Sequence, residues 1–259
     1  MHFVVMNFLS GSNLGRNRGK VPFENVRGIV SQVAAAARFL EELGLAHRDI
    51  KPENIGIDGT LQHAVLLDLG VLRPVGIDPI TDDDMLKPFI GTLQYSSPEF
   101  LLREEAESIE GWRALTFYQL GGLLHDLIMR RRLFEDFREP FLKLANAVQQ
   151  TQPIINSLEM PRDLVETARH CLVKDPTLRL SLVKWEDFDP NPPVSVSTEA
   201  VKERISRRRK YLAGVEGLTA ATGESEHTLT TLALKINDYA SRVQAIFRKE
   251  CVGNENFRQ

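Results

Sequence analysis

Cysteine is scarce in this chain, and neither sign of charge is in clear excess. The 2 cysteines, Cys171 and Cys251, lie far apart and do not form the paired spacing of a metal site. The 32 basic residues nearly balance the 35 acidic ones, which leaves a net charge of −3. The cysteine usage predicts a reducing, cytoplasmic setting. The charge balance gives no general attraction to nucleic acid or to an anionic membrane, so neither is expected as a partner.

The sequence also lacks any apolar stretch long enough to cross a bilayer, which takes roughly 18 uncharged residues. Its apolar start, residues 1–9, has no basic leading region and no small-residue cleavage site, so a signal peptide is not expected. Apolar residues still make up 42% of the 259 residues and charged residues 26%, as in an ordinary globular protein with a core. That length suits one sizeable domain with an appendage, or two small domains.

Helical spacing of apolar residues dominates the pattern along the chain. It predicts helices over residues 24–43, 112–129, 138–150 and 161–173, and a shorter one after Ser181. Residues 112–129 are almost wholly apolar, which favours a buried central helix. Strands are predicted only over residues 2–9 and in a hairpin of 54–58 with 64–67, and a long polar loop follows to about Glu99. These elements predict a mainly α fold of the α+β class.

Three closely spaced prolines, at positions 190, 192 and 193, mark a boundary because they deny both helix and sheet pairing. We predict one domain over residues 1–188, a linker over 189–197 and a helical tail over 198–259. The tail pattern predicts two amphipathic helices, over 198–215 and 226–251. A basic run at 207–210 in the first of them is typical of a solvated helix face.

One short segment concentrates charged and amide side chains: His47-Arg48-Asp49-Ile50-Lys51-Pro52-Glu53-Asn54-Ile55, followed after a hairpin by Asp68-Leu69-Gly70. The first resembles the catalytic loop, and the second the metal-binding turn, of the eukaryotic-type Ser/Thr protein kinases. Nine matching residues in order make a specific signal, although Leu69 replaces the usual Phe. The resemblance implies the large C-terminal lobe of a kinase fold, with a short β-hairpin, over residues 2 to about 188.

The resemblance also implies a function for each polar side chain. Phosphoryl transfer needs a group that orients the incoming hydroxyl, ligands for the metal and positive charge on the moving phosphoryl group. Asp49 would be the base, and Lys51, typical of the Ser/Thr form of the loop, would reach the phosphate. Asn54 and Asp68 would supply oxygen ligands for Mg²⁺, so ATP and Mg²⁺ are the implied cofactors and a protein is the implied substrate. Structural or regulatory functions are implied for His47, Arg48 and Gly70.

Two more segments extend the resemblance. Gly91-Thr92-Leu93-Gln94-Tyr95-Ser96-Ser97-Pro98-Glu99 is similar to the end of a kinase activation segment, where Thr92 would contact Asp49 and Lys51. Asp175-Pro176-Thr177-Leu178-Arg179 is similar to the motif whose arginine pairs with the glutamate that ends that segment. A buried, bidentate pair of Arg179 with Glu99 is therefore implied.

A nucleotide site and a regulatory site are implied more weakly. Residues 6–14 resemble the strand and hinge that hold adenine, with Met6 as gatekeeper, backbone bonds from Asn7 and Leu9, and Asn13 near the ribose. Arg48 is typical of kinases whose catalytic loop reads a phosphate on the activation segment. Thr81 is the implied modified residue there, although an ordinary exposed threonine explains that position equally well.

The chain departs from the family in two places. Residues 1–46 contain no Gly-rich loop, no strand lysine and no partner glutamate, so we expect a longer product or a chain that supplies the small lobe, and little activity without either. The family usually has an aspartate four residues before the Leu120-Gly121 step, which holds the backbone of the catalytic loop. Thr116 stands there instead, and a less rigidly held loop is expected.

Three functions therefore remain open from the sequence. The first is a Ser/Thr kinase catalytic lobe that is active only with a small lobe. The second is a pseudokinase-like module that binds a scaffold or another protein partner without catalysis. The third makes the tail a dimerisation device, with an apolar seam that includes Leu229, Leu232, Leu234, Ile236 and Val243, whereas packing of the tail on the lobe is the simpler expectation.

Overall fold

The computed structural model describes residues 11–69, 72–74, 92–191 and 198–221. It is mainly helical. The strands are β1 (Ser12–Asn13), β2 (Leu45–Ala46), β3 (Ile55–Ile57), β4 (Ala64–Leu66) and β5 (Arg73–Pro74). The α-helices are α1 (Leu14–Asn17), α2 (Phe23–Glu42), α3 (Pro98–Leu102), α4 (Ile109–Met129), α5 (Phe141–Gln150), α6 (Arg162–Cys171), α7 (Pro176–Leu182) and α8 (Thr198–Ala221). The predicted mainly α class with a small hairpin is confirmed.

The predicted hairpin is present, and it carries the catalytic-loop segment into the sheet. β3 pairs antiparallel with β4, with Ile55 opposite Leu66, and β1 adds to the other side of β3. The carboxylate of Asp58 closes the turn by accepting bonds from the backbone N–H groups of Gln62 and His63. β2 pairs antiparallel with β5, and β5 falls inside the region predicted as a polar loop. The strand predicted over residues 2–9 lies outside the described residues.

Helix α4 is the centre of the fold, as its apolar sequence predicted. Of its 21 residues, 16 are buried, and it packs against α2, α6 and α7. Ser108 caps its start by accepting a bond from the Gly111 N–H at 3.1 Å. Gly121 allows a close approach to α6, because a Cβ there would lie 2.5 Å from the Cβ of Cys171. The result is a buried central helix that contacts residues 48 and 50 through Gln119.

Proline explains the displaced starts of two predicted helices. Helix α5 begins at Phe141 rather than at 138, because Pro140 restricts the residue before it to extended conformations. The short helix expected after Ser181 lies instead at Pro176–Leu182, where Asp175 caps the Leu178 N–H and Pro176 fits the first helical position. The stretch after Ser181 leads into a 3₁₀ turn over Trp185–Phe188.

Backbone proximity divides the chain into two compact units, Met1–Ala213 and Gly214–Gln259. Helix α8 begins at Thr198, as predicted, and extends to Ala221 rather than 215. Its part in the first unit is tied to the 3₁₀ turn, since Arg207 bonds both oxygens of Asp187 at 2.7 and 2.8 Å. The three basic residues that follow Arg207 are exposed. The predicted helix over 226–251 and its apolar seam lie outside the described residues, and the three-part division at 188 and 197 stays a prediction.

Among the helices that the structure describes, none combines the length and the apolar character required to span a membrane.

Candidate active site

Three donors from separate residues meet the carboxylate of Asp49 in the candidate site. Its Oδ2 accepts bonds from Lys51 Nζ at 2.6 Å and from Asn54 Nδ2 at 2.8 Å, and its Oδ1 accepts from the Thr92 N–H at 3.2 Å. Lys51 Nζ also donates to the hydroxyl of Thr92 at 2.6 Å. The contact of Thr92 with Asp49 and Lys51, predicted from the resemblance, is therefore present. The Asp49 side chain is 9% exposed, so the carboxylate is aimed by these donors rather than by bulk water.

The backbone on either side of Asp49 is held by Gln119 of helix α4. Its side-chain Oε1 accepts a bond from the Ile50 N–H at 3.1 Å, and its Nε2 donates to the Arg48 carbonyl at 2.6 Å. Thr116 does not hold this backbone, because its hydroxyl donates to the Trp112 carbonyl of its own helix at 2.9 Å. The expectation of a less rigidly held loop stays a prediction, and it did not include the two bonds from Gln119. Gln119 lies three residues after Thr116 on the same helix face, and no local sequence pattern shows which of the two side chains reaches the loop.

Asn54 and Asp68 lie next to each other along the two arms of the hairpin. The Leu67 N–H donates to the Asn54 carbonyl at 2.8 Å, which brings the residue before Asp68 against Asn54. The amide nitrogen of Asn54 donates to the carbonyl and to the carboxylate of Asp49, so its amide oxygen is on the opposite side of the group. Asp68 is exposed, with a left-handed backbone (φ 62°) that aspartate tolerates.

The oxygen atoms of Asn54 and Asp68 suit Mg²⁺. They do not make a complete metal site without water or a substrate. One amide oxygen and one exposed carboxylate are hard oxygen ligands, and Mg²⁺ in such proteins takes its remaining ligands from water and substrate phosphates. Within the described ranges no group of three or more His, Cys, Asp or Glu side chains could hold a metal ion without such help.

Arg179 and Glu99 form the predicted buried, bidentate pair. Arg179 NH1 and NH2 donate to the two oxygens of Glu99 at 2.6 and 3.2 Å, and the guanidinium is fully buried. The same group donates to the carbonyls of Ala114, Val173 and Lys174. It therefore joins α3, α4 and the connection before α7, and it fixes the end of the segment that carries Thr92.

The comparison with known proteins agrees with this arrangement. A family model described as the protein kinase domain matches residues 1–187, which is most of the chain. This chain belongs to the protein kinase family. The match ends just before the prolines that follow residue 189, and it includes residues 47–55, residues 68–70 and the Glu99–Arg179 pair.

Several curated serine/threonine kinases are similar to the chain. A probable serine/threonine-protein kinase of Dictyostelium discoideum is 27% identical over an alignment of 225 positions that covers 78% of this chain and 46% of that protein. Serine/threonine-protein kinase PknA of Mycobacterium tuberculosis is 26% identical over 68% of this chain and 39% of its own length. Serine/threonine-protein kinase Sgk1 of Bos taurus is 26% identical over 72% and 44%. The chain spans less than half the length of each of these kinases.

Other residues implied by the kinase resemblance are placed less directly. The Arg48 guanidinium lies 5.9 Å from the centre of the Trp112 ring, and its backbone is left-handed (φ 68°). Asn13 caps α1, accepting a bond from the Arg16 N–H at 3.0 Å, and its place near a ribose stays a prediction. The remaining predicted residues lie outside the described part of the chain: Met6, Asn7, Leu9, Gly70 and Thr81.

A buried ionic network beside the kinase catalytic loop was not predicted. Asp126 is fully buried and accepts bonds from Arg18 Nε at 2.9 Å, from the Tyr95 hydroxyl at 2.6 Å and from the Leu133 N–H at 2.7 Å. Burial, reinforced by the charge of Asp126, raises the pKa of Tyr95 well above its usual value, which keeps the phenol a donor. Arg18 also reaches Glu53 of the catalytic loop at 3.4 Å.

His47 supports the kinase loop as a neutral ring. Its Nε2 lies 3.0 Å from the Leu67 carbonyl, and its Nδ1 lies 3.4 Å from the Asp49 N–H. These contacts fit a proton on Nε2 and a lone pair on Nδ1. Burial lowers the pKa of His47 below its ordinary value of 6.5, because the charged form loses its hydration.

That shift predicts an acid-sensitive fold. The unfolded chain gains a proton on His47 near pH 6.5, whereas the folded chain does so only at lower pH, so the free energy of unfolding should fall as pH drops below about 6.5. Burial lowers the pKa of His170 in the same direction. Urea unfolding at pH 8, 7, 6 and 5 should show a shallower decline for His47→Asn than for the unsubstituted chain, and a still shallower one when His170→Asn is added. Equal slopes for all three chains would contradict this account.

Proposed function

We propose that this lobe transfers the terminal phosphoryl group of ATP to a Ser or Thr hydroxyl of a protein, with Mg²⁺ bound by Asn54 and Asp68. The observation that carries the proposal is the Asp49 carboxylate, aimed by Lys51, Asn54 and Thr92. Support for the Ser/Thr class comes from Lys51 and from the similarity to serine/threonine kinases.

The bonding of Asp49 suits a base that receives a hydroxyl proton. A carboxylate offers about four lone-pair positions. Lys51 and Asn54 donate to Oδ2 of Asp49, and the Thr92 N–H donates to Oδ1. The second position of Oδ1 is the one that we assign to the substrate hydroxyl. A hydroxyl bonded there is oriented for attack, and its proton can pass to Asp49.

Lys51 supplies the positive charge. Its ammonium group has three N–H donors. Two of them are used on Asp49 and Thr92, each at 2.6 Å. We assign the third to an oxygen of the phosphoryl group in transit, where charge-assisted bonds are strongest. Bound Mg²⁺ would neutralise charge on the nucleotide phosphates. Asn54 is held ready for that ion because Asp49 fixes its amide orientation.

The reaction also needs the nucleotide to be covered. Phosphoryl transfer depends on positioning and on a site from which water is excluded. We therefore propose that activity requires a small lobe, joined ahead of residue 1 or supplied by a partner chain. The protein substrate and that lobe are the proposed partners.

The metal assignment is tested with Asp68→Asn in the chain supplied with a small lobe. The substitution keeps the size of the side chain but removes its charge, so the Mg²⁺ concentration for half-maximal transfer should rise by about tenfold or more. Initial rates of transfer from ATP across a Mg²⁺ titration measure the effect. Asp163→Asn, which changes an exposed carboxylate of α6 in the same way, should leave the titration unchanged.

A binding module without catalysis predicts a different result. In that case the unsubstituted chain transfers no phosphate at any Mg²⁺ concentration, and its affinity for a protein partner is the same with Asp68→Asn. An Mg²⁺ titration identical for Asp68→Asn and the unsubstituted chain would remove Asp68 from the site.

A further inference from the structure

Gln119 bonds the peptide groups on both sides of Asp49. The Arg48 carbonyl belongs to the peptide group before Asp49, and the Ile50 N–H belongs to the peptide group after it. One side-chain amide bonds both, at 2.6 and 3.1 Å. Gln119 is 2% exposed, so water does not compete for either bond.

We propose that Gln119 is the positioning residue that sets the backbone of Asp49, in place of the residue at position 116. The inference rests on the proposed function, because it explains how the base of that reaction is oriented. Fixing both neighbouring peptide groups fixes the two backbone dihedrals of Asp49. Lys51, Asn54 and Thr92 then need only to orient the carboxylate.

The two bonds of Gln119, here called the clamp, also act on a backbone in an uncommon conformation. Arg48 has φ 68°, in the left-handed region that residues with a Cβ rarely adopt. The bond from Gln119 Nε2 ends on the carbonyl of that same residue. Helix α4 is closely packed near Gln119. At Gly122, one turn further on, a Cβ would lie 3.0 Å from the Tyr95 ring.

Only an amide satisfies both contacts at once. The Arg48 carbonyl needs a donor and the Ile50 N–H needs an acceptor, and the amide of Gln119 supplies one of each. A carboxylate would keep the acceptor and place a second oxygen against the Arg48 carbonyl. A thioether of the same length would provide neither group with a comparable bond.

The test uses Gln119→Met and Gln119→Glu, with Thr116→Val as the matched control one turn away on the same helix. In the chain supplied with a small lobe, Gln119→Met should lower kcat for phosphoryl transfer by about ten- to a hundredfold. The KM for ATP should stay within about threefold, because a positioning residue acts on the chemical step and not on nucleotide binding. Thr116→Val should leave both constants unchanged, since the Thr116 hydroxyl bonds only within its helix among the contacts described.

Hydrogen exchange of the Ile50 amide separates this inference from the proposed function, since it needs no activity. We expect Gln119→Met to speed exchange by about tenfold or more, while Gln119→Glu keeps the acceptor and the protection. If the unsubstituted chain transfers no phosphate, the proposed function fails and the exchange result still decides the clamp. Unchanged Ile50 exchange in Gln119→Met, or a kcat that this substitution leaves intact, would overturn the inference. If Gln119→Met does not fold, Gln119→Glu decides the question. Its kcat must fall while the Ile50 amide stays protected from exchange.

Discussion

Asp49→Asn should lower kcat for phosphoryl transfer by about 10²- to 10⁴-fold in the chain supplied with a small lobe. The amide has the size of the carboxylate but cannot take the proton of the substrate hydroxyl. The NH₂ group of the amide also takes the place of one carboxylate oxygen. It then faces N–H donors: Lys51 and Asn54 if it replaces Oδ2, or the Thr92 N–H if it replaces Oδ1. Both the proposed base and its alignment are lost, whereas the proposed metal ligands Asn54 and Asp68 are not substituted.

Steady-state kinetics with ATP and a Ser/Thr peptide measure this effect. The KM for ATP should change by less than about threefold, because Asp49 acts on the hydroxyl and not on the nucleotide. Asp163→Asn again serves as the control for a carboxylate-to-amide change, and urea unfolding verifies that Asp49→Asn is folded. A kcat within about threefold of the unsubstituted chain would assign the base to another residue.

Arg179→Ala should lower the free energy of unfolding by about 3–5 kcal/mol. The substitution leaves the Glu99 carboxylate buried without its bidentate partner, and it removes donors from the carbonyls of Ala114, Val173 and Lys174. Desolvated charges and carbonyls cannot recover these bonds from water, so the cost is that of a buried ion pair broken on one side.

Urea unfolding of matched variants measures the loss of unfolding free energy in Arg179→Ala. Arg162→Ala removes an arginine of α6 that pairs with Glu166 at the surface, and it should cost no more than about 1 kcal/mol. Glu99→Ala should resemble Arg179→Ala. The double substitution should cost less than the sum of the two, since neither charge is then left alone. A loss below about 1 kcal/mol for Arg179→Ala would show that the pair is not needed for stability.

The parts of the site that follow one another along the chain were predictable. Asp49, Lys51 and Asn54 lie within a single short loop, and their contacts with one another follow from that spacing. The contacts of Thr92 and of the Glu99–Arg179 pair join distant segments, and they were found only because each segment resembles a known motif. The hairpin was predicted from two short segments joined by a turn at Asp58-Gly59, and the central helix was predicted from an apolar run.

The parts that depend on packing alone were not predictable. Gln119 takes over from position 116 because the two side chains share a helix face, and no local pattern shows which of them reaches the loop. Arg18 meets Asp126 across 108 positions, and neither belongs to a recognised motif. The starts of α5 and α7 were missed because proline chemistry outweighed apolar periodicity at Pro140 and Pro176.

Phosphoryl transfer to Ser and Thr through Asp49 is most directly tested in a labelling experiment. The chain, supplied with a small lobe, is incubated with Mg²⁺, ATP labelled in its terminal phosphate and a library of Ser-, Thr- and Tyr-containing peptides. The account predicts label on Ser and Thr peptides, and none above background when Asp49→Asn replaces the unsubstituted chain. Label that appears equally with Asp49→Asn, or no label from an unsubstituted chain that binds Mg²⁺ and ATP, would contradict it.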